Sequence, residues 1–287
     1  MHYRILFLVL VFQGFFAQSQ EKLWYWNLTG AEAMVVATNC YVRSEPSRTA
    51  PLLDSLHLGE KVKVIEETDQ LLTLKGMTVP FVKIEYINRH GKTQSGYLWE
   101  GFLALGYLEK KELTYLTALN HSHKEAPDSS NSITVTLMVL KRGKLFSKTD
   151  FPIDQDESTF FEHRVMSNMG LQGLDAIYVV SFSGEACGIP TLFYYFGRQE
   201  KQWFPLPSMM CVGDADVYSH TEAFIFPKEK GGKPDIIFKT IVEESLNEQE
   251  TLYEVKKWRE TYSWEGKKAK FISKTRAKIQ YKKANGY

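Results

Sequence analysis

The apolar and polar positions of this chain alternate with period two far more often than with period 3.6. Lys61-Val62-Lys63-Val64-Ile65 changes side at almost every residue, and Phe81-Val82-Lys83-Ile84-Glu85-Tyr86 does so again. Successive strand side chains point to opposite faces. One face of each segment is therefore apolar, and the other carries Lys61, Lys63, Lys83 and Glu85. Gly59, Gly91 and Gly96 punctuate these runs and supply the positive φ of tight turns. A stretch of about 70 residues with short strands and Gly/Pro breaks suits a small barrel, which closes to remove exposed edges.

Past this stretch, Leu113, Leu116 and Leu119 recur at three-residue spacing and predict a short helix over 109–120. Residues 120–131, with His121 and His123 among Ser, Asn, Asp and Pro, have the chemistry of a linker and predict a domain boundary. Strand patterns then dominate: Ile133-Thr134-Val135-Thr136-Leu137, Ala176-Ile177-Tyr178-Val179-Val180, and Leu192-Phe193-Tyr194-Tyr195-Phe196 before a turn at Gly197. A helix is expected over 158–170, capped by Ser158 and ended by Gly170. Hairpins over 139–146, 195–204 and 263–271 share an apolar, basic-turn, apolar shape, which leaves a blade-like repeat open beside a plain antiparallel sheet. The expected fold is thus mainly β. A small barrel at 30–108 is followed by a short helix and linker at 109–132 and an antiparallel β-sheet domain at 133–287.

Specific residues add a family resemblance to the first module. Cys40-Tyr41-Val42-Arg43-Ser44-Glu45-Pro46-Ser47 is similar to the L-N-V-R-S-G-P-S opening of bacterial SH3 (SH3b) domains. Gly96-Tyr97-Leu98 with Phe102-Leu103 is similar to their closing pattern. The likeness covers about a quarter of the chain. Glu45 replaces a usual turn glycine, and residues 69–76 read as an insertion that lengthens a loop. The resemblance implies an SH3-like barrel that recognises peptide or cell-wall polymer in an aromatic-lined groove, with Tyr41, Tyr86, Tyr97, Trp99 and Phe102 as candidates. Some of these five belong to the barrel core instead. The C-terminal half resembles exported bacterial β-rich proteins, a likeness that implies no activity.

Composition narrows the partners. Hydrophobic residues make up 44% and charged residues 24% of the 287, enough to bury a core. A formal net charge of +1 removes the general electrostatic reason to expect nucleic acid. Met1 to Arg4 is a short positive region, and the apolar run 5–16 is too short to span a bilayer comfortably. Ala17-Gln18-Ser19 then offers small residues at signal-peptidase spacing. A cleaved signal peptide at 1–19 is expected, with export to the periplasm or medium and no stable membrane span afterwards, the alternative being an uncleaved membrane anchor. The cluster Leu23-Trp24-Tyr25-Trp26 then reads as a strand packed on the barrel, the alternative being a sugar-stacking or partner-binding arm.

Export bears on the three cysteines. In an oxidising compartment Cys187 and Cys211 are the candidate disulfide, the alternative being that all three thiols stay free and buried. The SH3b resemblance also implies a neighbouring cell-wall cysteine hydrolase as an alternative, in which unpaired Cys187 or Cys211 with His220 as base, and Asp214 or Asp216 orienting it, would form the dyad, although that family's motif around its nucleophile is absent. Against this, neither thiol precedes a helix, where thiolates are usually activated. Asp214, Asp216, His220 and Glu222 also offer a weak metal-ligand set, without the glycine spacing of a calcium loop. The preferred expectation is an exported, non-catalytic protein that binds peptide, peptidoglycan or an envelope protein, with no cofactor.

Overall fold

In the computed structural model, residues 28–124, 131–154, 160–184, 186–215, 217–249 and 251–283 are described. The expected signal peptide and the aromatic cluster at 23–26 lie outside them. Among the described residues strands dominate, and they form three antiparallel sheets.

The first sheet contains β1 (Glu32–Met34), β2 (Cys40–Arg43), β3 (Leu52–Leu56), β4 (Lys61–Leu74), β5 (Met77–Ile87) and β6 (Thr93–Trp99). Their order is β1-β4-β5-β6-β2-β3, a partly curled half-barrel. Val62, Val64, Val82, Ile84 and Leu98 fill its inside, as the alternation requires. Glu45 has no positive φ, so this turn does not need the missing glycine. Gly96, expected in a turn, lies within β6. A Cβ there would come 2.4 Å from Val42 Cγ1, so glycine serves close packing of β6 on β2.

Residues 69–76, read as an inserted loop, are the end of β4 and its turn into β5. Ser122 N donates to Lys75 O at 3.0 Å, which docks this turn on the next sheet. Gly76 sits at φ +74°, and a Cβ would approach Ser122 O to 2.0 Å, so both backbone and space demand glycine.

A 3-10 turn, Glu100–Phe102, leads into the second sheet: β7 (Gly106–Lys110), β8 (Leu113–Lys124), β9 (Asn131–Lys141) and β10 (Lys144–Asp154), in the order β10-β9-β8-β7. The segment expected as a helix and linker is thus strand on both sides of 125–130, with Lys124 paired to Asn131. The leucine spacing misled because this sheet is covered on both faces, so apolar residues no longer mark one face. Leu116, Ala118, Met138 and Leu140 share a core with Met34 and Ala104 of the half-barrel side. Tyr115, Leu119, Val135 and Leu137 join a second core that runs from the half-barrel into the third sheet. Each fully buried aliphatic side chain here contributes about 1.5–3 kcal/mol.

The third sheet begins with β11 (Phe160–Met166), β12 (Ala176–Ser183), β13 (Thr191–Gln199) and β14 (Gln202–Pro205). It continues through β15 (Met209–Asp214), β16 (Tyr218–Ile225), β17 (Ile236–Leu246), β18 (Leu252–Trp264), β19 (Ala269–Lys274) and β20 (Lys278–Lys283). Its main path runs from β11 to β19, with β14 on β13 and β20 on β18. The helix expected over 158–170 is therefore also absent from its described residues: 160–166 are strand, and 167–170 are a loop that turns at Met169 and Gly170, both at positive φ. Phe160–Met166 pairs with β12, and its Phe and Val residues favour extended backbone. Gly197 is inside β13, opposite Ile177 and Phe204, and the turn falls at Glu200, φ 49°. Of the three look-alike hairpins, β13–β14 and β18–β19 belong to this sheet and β9–β10 to the second.

Aromatic contacts lock the second and third sheets together. Tyr115 meets Tyr178 edge-on at 5.5 Å, and Phe151 lies 4.7 Å from Phe196. The buried Tyr178 hydroxyl bonds Thr117 Oγ1 at 2.7 Å on one side and His163 Nδ1 at 2.8 Å on the other. The opposite face of the third sheet closes on Leu171, Leu174, Leu206, Phe226 and Trp264.

Candidate ligand-binding site

The five aromatic candidates of the half-barrel do not converge. Tyr86 and Trp99 are core residues, 3% and 2% exposed. Trp99 Nε1 donates to Leu72 O at 2.9 Å, and its ring meets Phe102 edge-on at 5.1 Å. Tyr97 is half-buried beside Arg43, and Tyr41 is exposed opposite Ser55. Phe102 lines a separate cavity of about 180 Å3, shared with Val36, Leu58, Met138 and Lys148 where the half-barrel meets the second sheet.

The cysteine expectations change as well. All three thiols are free, so the expected Cys187–Cys211 bridge is not formed. Cys187 is exposed, whereas half-buried Cys211 directs its Sγ to Glu222 O at 3.9 Å. Burial, with the Glu60 charge, pushes the Cys40 thiol up to about 12. Cys211 pairs with Thr221 and Val212 with His220, so strand alternation puts Cys211 and His220 on opposite faces. Asp214 is exposed at the end of β15, and Asp216 lies outside the described residues. Among the described residues no group of three His, Cys, Asp or Glu side chains is placed to hold a metal ion.

His220 and Glu222 do come together, with partners that one-dimensional reading could not supply. Register places His220 opposite Glu243, Phe224 opposite Lys239, and Lys239 opposite Glu260, so His220, Glu222, Lys239, Glu243 and Glu260 lie on one face of β16, β17 and β18. His220 is buried, with Nδ1 3.2 Å from Glu243 Oε1 and Nε2 3.2 Å from Glu222 Oε1. Glu222 also accepts from Met210 N at 2.9 Å and from Lys239 Nζ at 3.1 and 3.2 Å. Lys239 lies 3.6 Å from Glu260, which accepts the Tyr262 hydroxyl at 2.7 Å. Burial first, then that bond to Glu260, holds the Tyr262 phenol above its ordinary range. Trp258 stands edge-on to His220 at 6.4 Å, with Lys274 Nζ 4.8 Å above its ring.

Glu222 and Lys239 are only 10% and 13% exposed as side chains. At that depth desolvation offsets most of the attraction, so the network adds little net stability. What it does is hold two opposite charges at the wall of an open cavity of about 280 Å3. Leu192, Tyr194, Ser208, Met209 and Met210 form the remainder of its lining. Apolar walls with a few fixed polar groups are the usual composition of a small-ligand pocket. The sequence signal for its unread half was the alternation Ile237-Phe238-Lys239-Thr240-Ile241 on β17, which places Lys239 on the same face as Ile241 and Ile237.

No family model, no curated protein and no solved structure matches this chain. Among the described residues no helix is long and apolar enough to cross a membrane.

Proposed function

We propose that this chain is an exported, non-catalytic binding protein that recognises a peptide-bearing ligand of the cell envelope, peptidoglycan above all. The observation that carries the reading is the Glu222–Lys239 pair at the wall of the 280 Å3 cavity, 3.1 Å apart and flanked by Tyr194, Met209 and Met210. Stem peptides of a cell wall present carboxylates and amines on short aliphatic side chains. Lys239 would take the carboxylate, Glu222 the amine, and the methionines, which adapt their shape readily, the aliphatic part. The export signature at 1–19 and the SH3b resemblance of residues 34–105 support the same setting. A binding rather than a hydrolytic role is favoured by His220, whose two nitrogens face carboxylates, and by Cys211 on the other face.

The test is sedimentation of the protein with purified insoluble peptidoglycan, wild type against Lys239→Met and Glu222→Gln. Each variant keeps the side-chain bulk and removes one charge. Loss of a charge-assisted bond of about 1.5–3 kcal/mol lowers affinity roughly tenfold or more. Folded variants that bind as well as wild type, or a wild type that does not bind, would overturn the reading.

A further inference from the structure

The charge of this chain is close to balanced as a whole but not along it. Between Gly266 and Lys283 there is no Asp or Glu, and the basic residues are Lys267, Lys268, Lys270, Arg276, Lys278 and Lys283, together with Lys274 and Lys282. Lys274 and Lys282 reach Glu260 and Glu244 at 4.0 and 3.5 Å. The other six side chains have no ion pair among the described residues.

The fold gathers these cations at one edge, with Lys270, Lys278 and Lys282 on the face of their partners Ser263, Lys257 and Tyr253, and Lys274 and Lys283 on the face of Glu260 and Leu252. β19 and β20 both pair with β18, β19 against Glu260–Trp264 and β20 against Leu252–Lys257. They therefore lie in series along one edge of a 13-residue strand, an edge ~40 Å long at about 3.3 Å per residue. Every described side chain of β20 is exposed. Phe271, Ile272, Ile279 and Tyr281 are each more than half exposed between the lysines. Phe271, Ile279 and Tyr281 pair with Tyr262, Lys256 and Glu254 and so share one face, while Ile272 sits at a register shift.

Lysines on a sheet edge are a common device against unwanted strand pairing. That role alone is ill served by four large apolar side chains placed among them. A long cationic edge carrying aromatic and aliphatic groups has the chemistry of contact with an anionic lipid surface: lysines at the headgroups, Phe, Ile and Tyr in the interface. We infer that the β19–β20 edge is a peripheral binding surface for anionic lipid bilayers, separate from the Glu222–Lys239 cavity. Nucleic acid would also take up the charge, but it gives Ile272 and Ile279 nothing to enter.

Vesicle sedimentation tests this with the full chain. Phosphatidylcholine vesicles are compared with vesicles holding about a third phosphatidylglycerol, at low and high salt. Wild type is expected to bind the anionic vesicles, to leave neutral ones in solution, and to dissociate near 1 M salt, where screening extends over only about 3 Å. Lys270→Glu with Lys278→Glu, both exposed and unpaired, should weaken binding roughly tenfold or more at an unchanged thermal midpoint. Phe271→Ser with Ile279→Ser should weaken it while leaving the salt dependence in place. Equal binding to neutral vesicles, or no loss on charge reversal, would overturn the inference. So would tighter binding to a fluorescent DNA oligonucleotide than to vesicles, or no vesicle binding at all, which would leave the edge a device against strand pairing. Peptidoglycan binding is read separately, so either proposal can fail alone.

Discussion

Acidification perturbs one inter-sheet contact in a way that can be worked out from its geometry. His163 of β11 lies against Phe161, ring centroids 5.0 Å apart, and its Nδ1 is 2.8 Å from the Tyr178 hydroxyl. That hydroxyl is itself fully enclosed and bonded to Thr117 of β8. Burial lowers the His163 pKa from 6.5 to about 4. A group whose folded pKa is depressed contributes stability that is fully present above its unfolded value. That stability is lost as the pH falls from about 6.5 through about 4, because the unfolded chain takes up the proton first. A gap of this size corresponds to about 3 kcal/mol, and partial exposure of the ring brings it nearer 2 kcal/mol. Urea unfolding at pH 7 and pH 4.5 of wild type and His163→Gln measures it, since every other titrating group is common to both. Wild type should lose about 2 kcal/mol more than the variant over this interval. Losses equal within about 0.5 kcal/mol would show that His163 ionises freely in the folded protein and would refute the reasoning.

Other outcomes follow from the same structure. A protease site engineered between Lys124 and Asn131 and then cut should leave both pieces eluting together, since β8 and β9 stay paired in a sheet covered on both faces. Elution as two folded pieces would count against the shared core. Trp99→Ala should destabilise by about 3–5 kcal/mol and Tyr97→Ala by clearly less, as judged by denaturant midpoints. Timed alkylation of the native protein should label exposed Cys187 first and Cys40 last. Mass spectrometry of non-reduced peptides should find no Cys187–Cys211 bridge.

The sequence made the half-barrel legible because one face of each strand there is dry and the other wet, as Val62/Lys63 and Ile84/Glu85 illustrate. It failed at 109–120 and 160–166 for opposite reasons. β8 is covered on both faces, so Leu113, Leu116 and Leu119 matched a helical spacing by coincidence. β11 is half-exposed, with polar residues that cap helices just before it. The site was half visible. His220 and Glu222 stood out as neighbours in the chain, but Lys239, Glu243 and Glu260 join them only through the registers of β17 and β18. Cys211 and His220 seemed a pair by proximity, and strand alternation separates them.

The binding reading meets its most direct test at the cavity wall. Methyl NMR of the protein labelled at methionine offers reporters on both sides of the question, with Met209 and Met210 in the cavity and Met34, Met77 and Met138 in the other cores. Titration with soluble peptidoglycan fragments should shift the Met209 and Met210 signals saturably and leave the other three in place, with the shifts lost in Lys239→Met. Shifts confined to Met34, Met77 or Met138, or none at millimolar fragment, would contradict the assignment of the Glu222–Lys239 cavity as the ligand site.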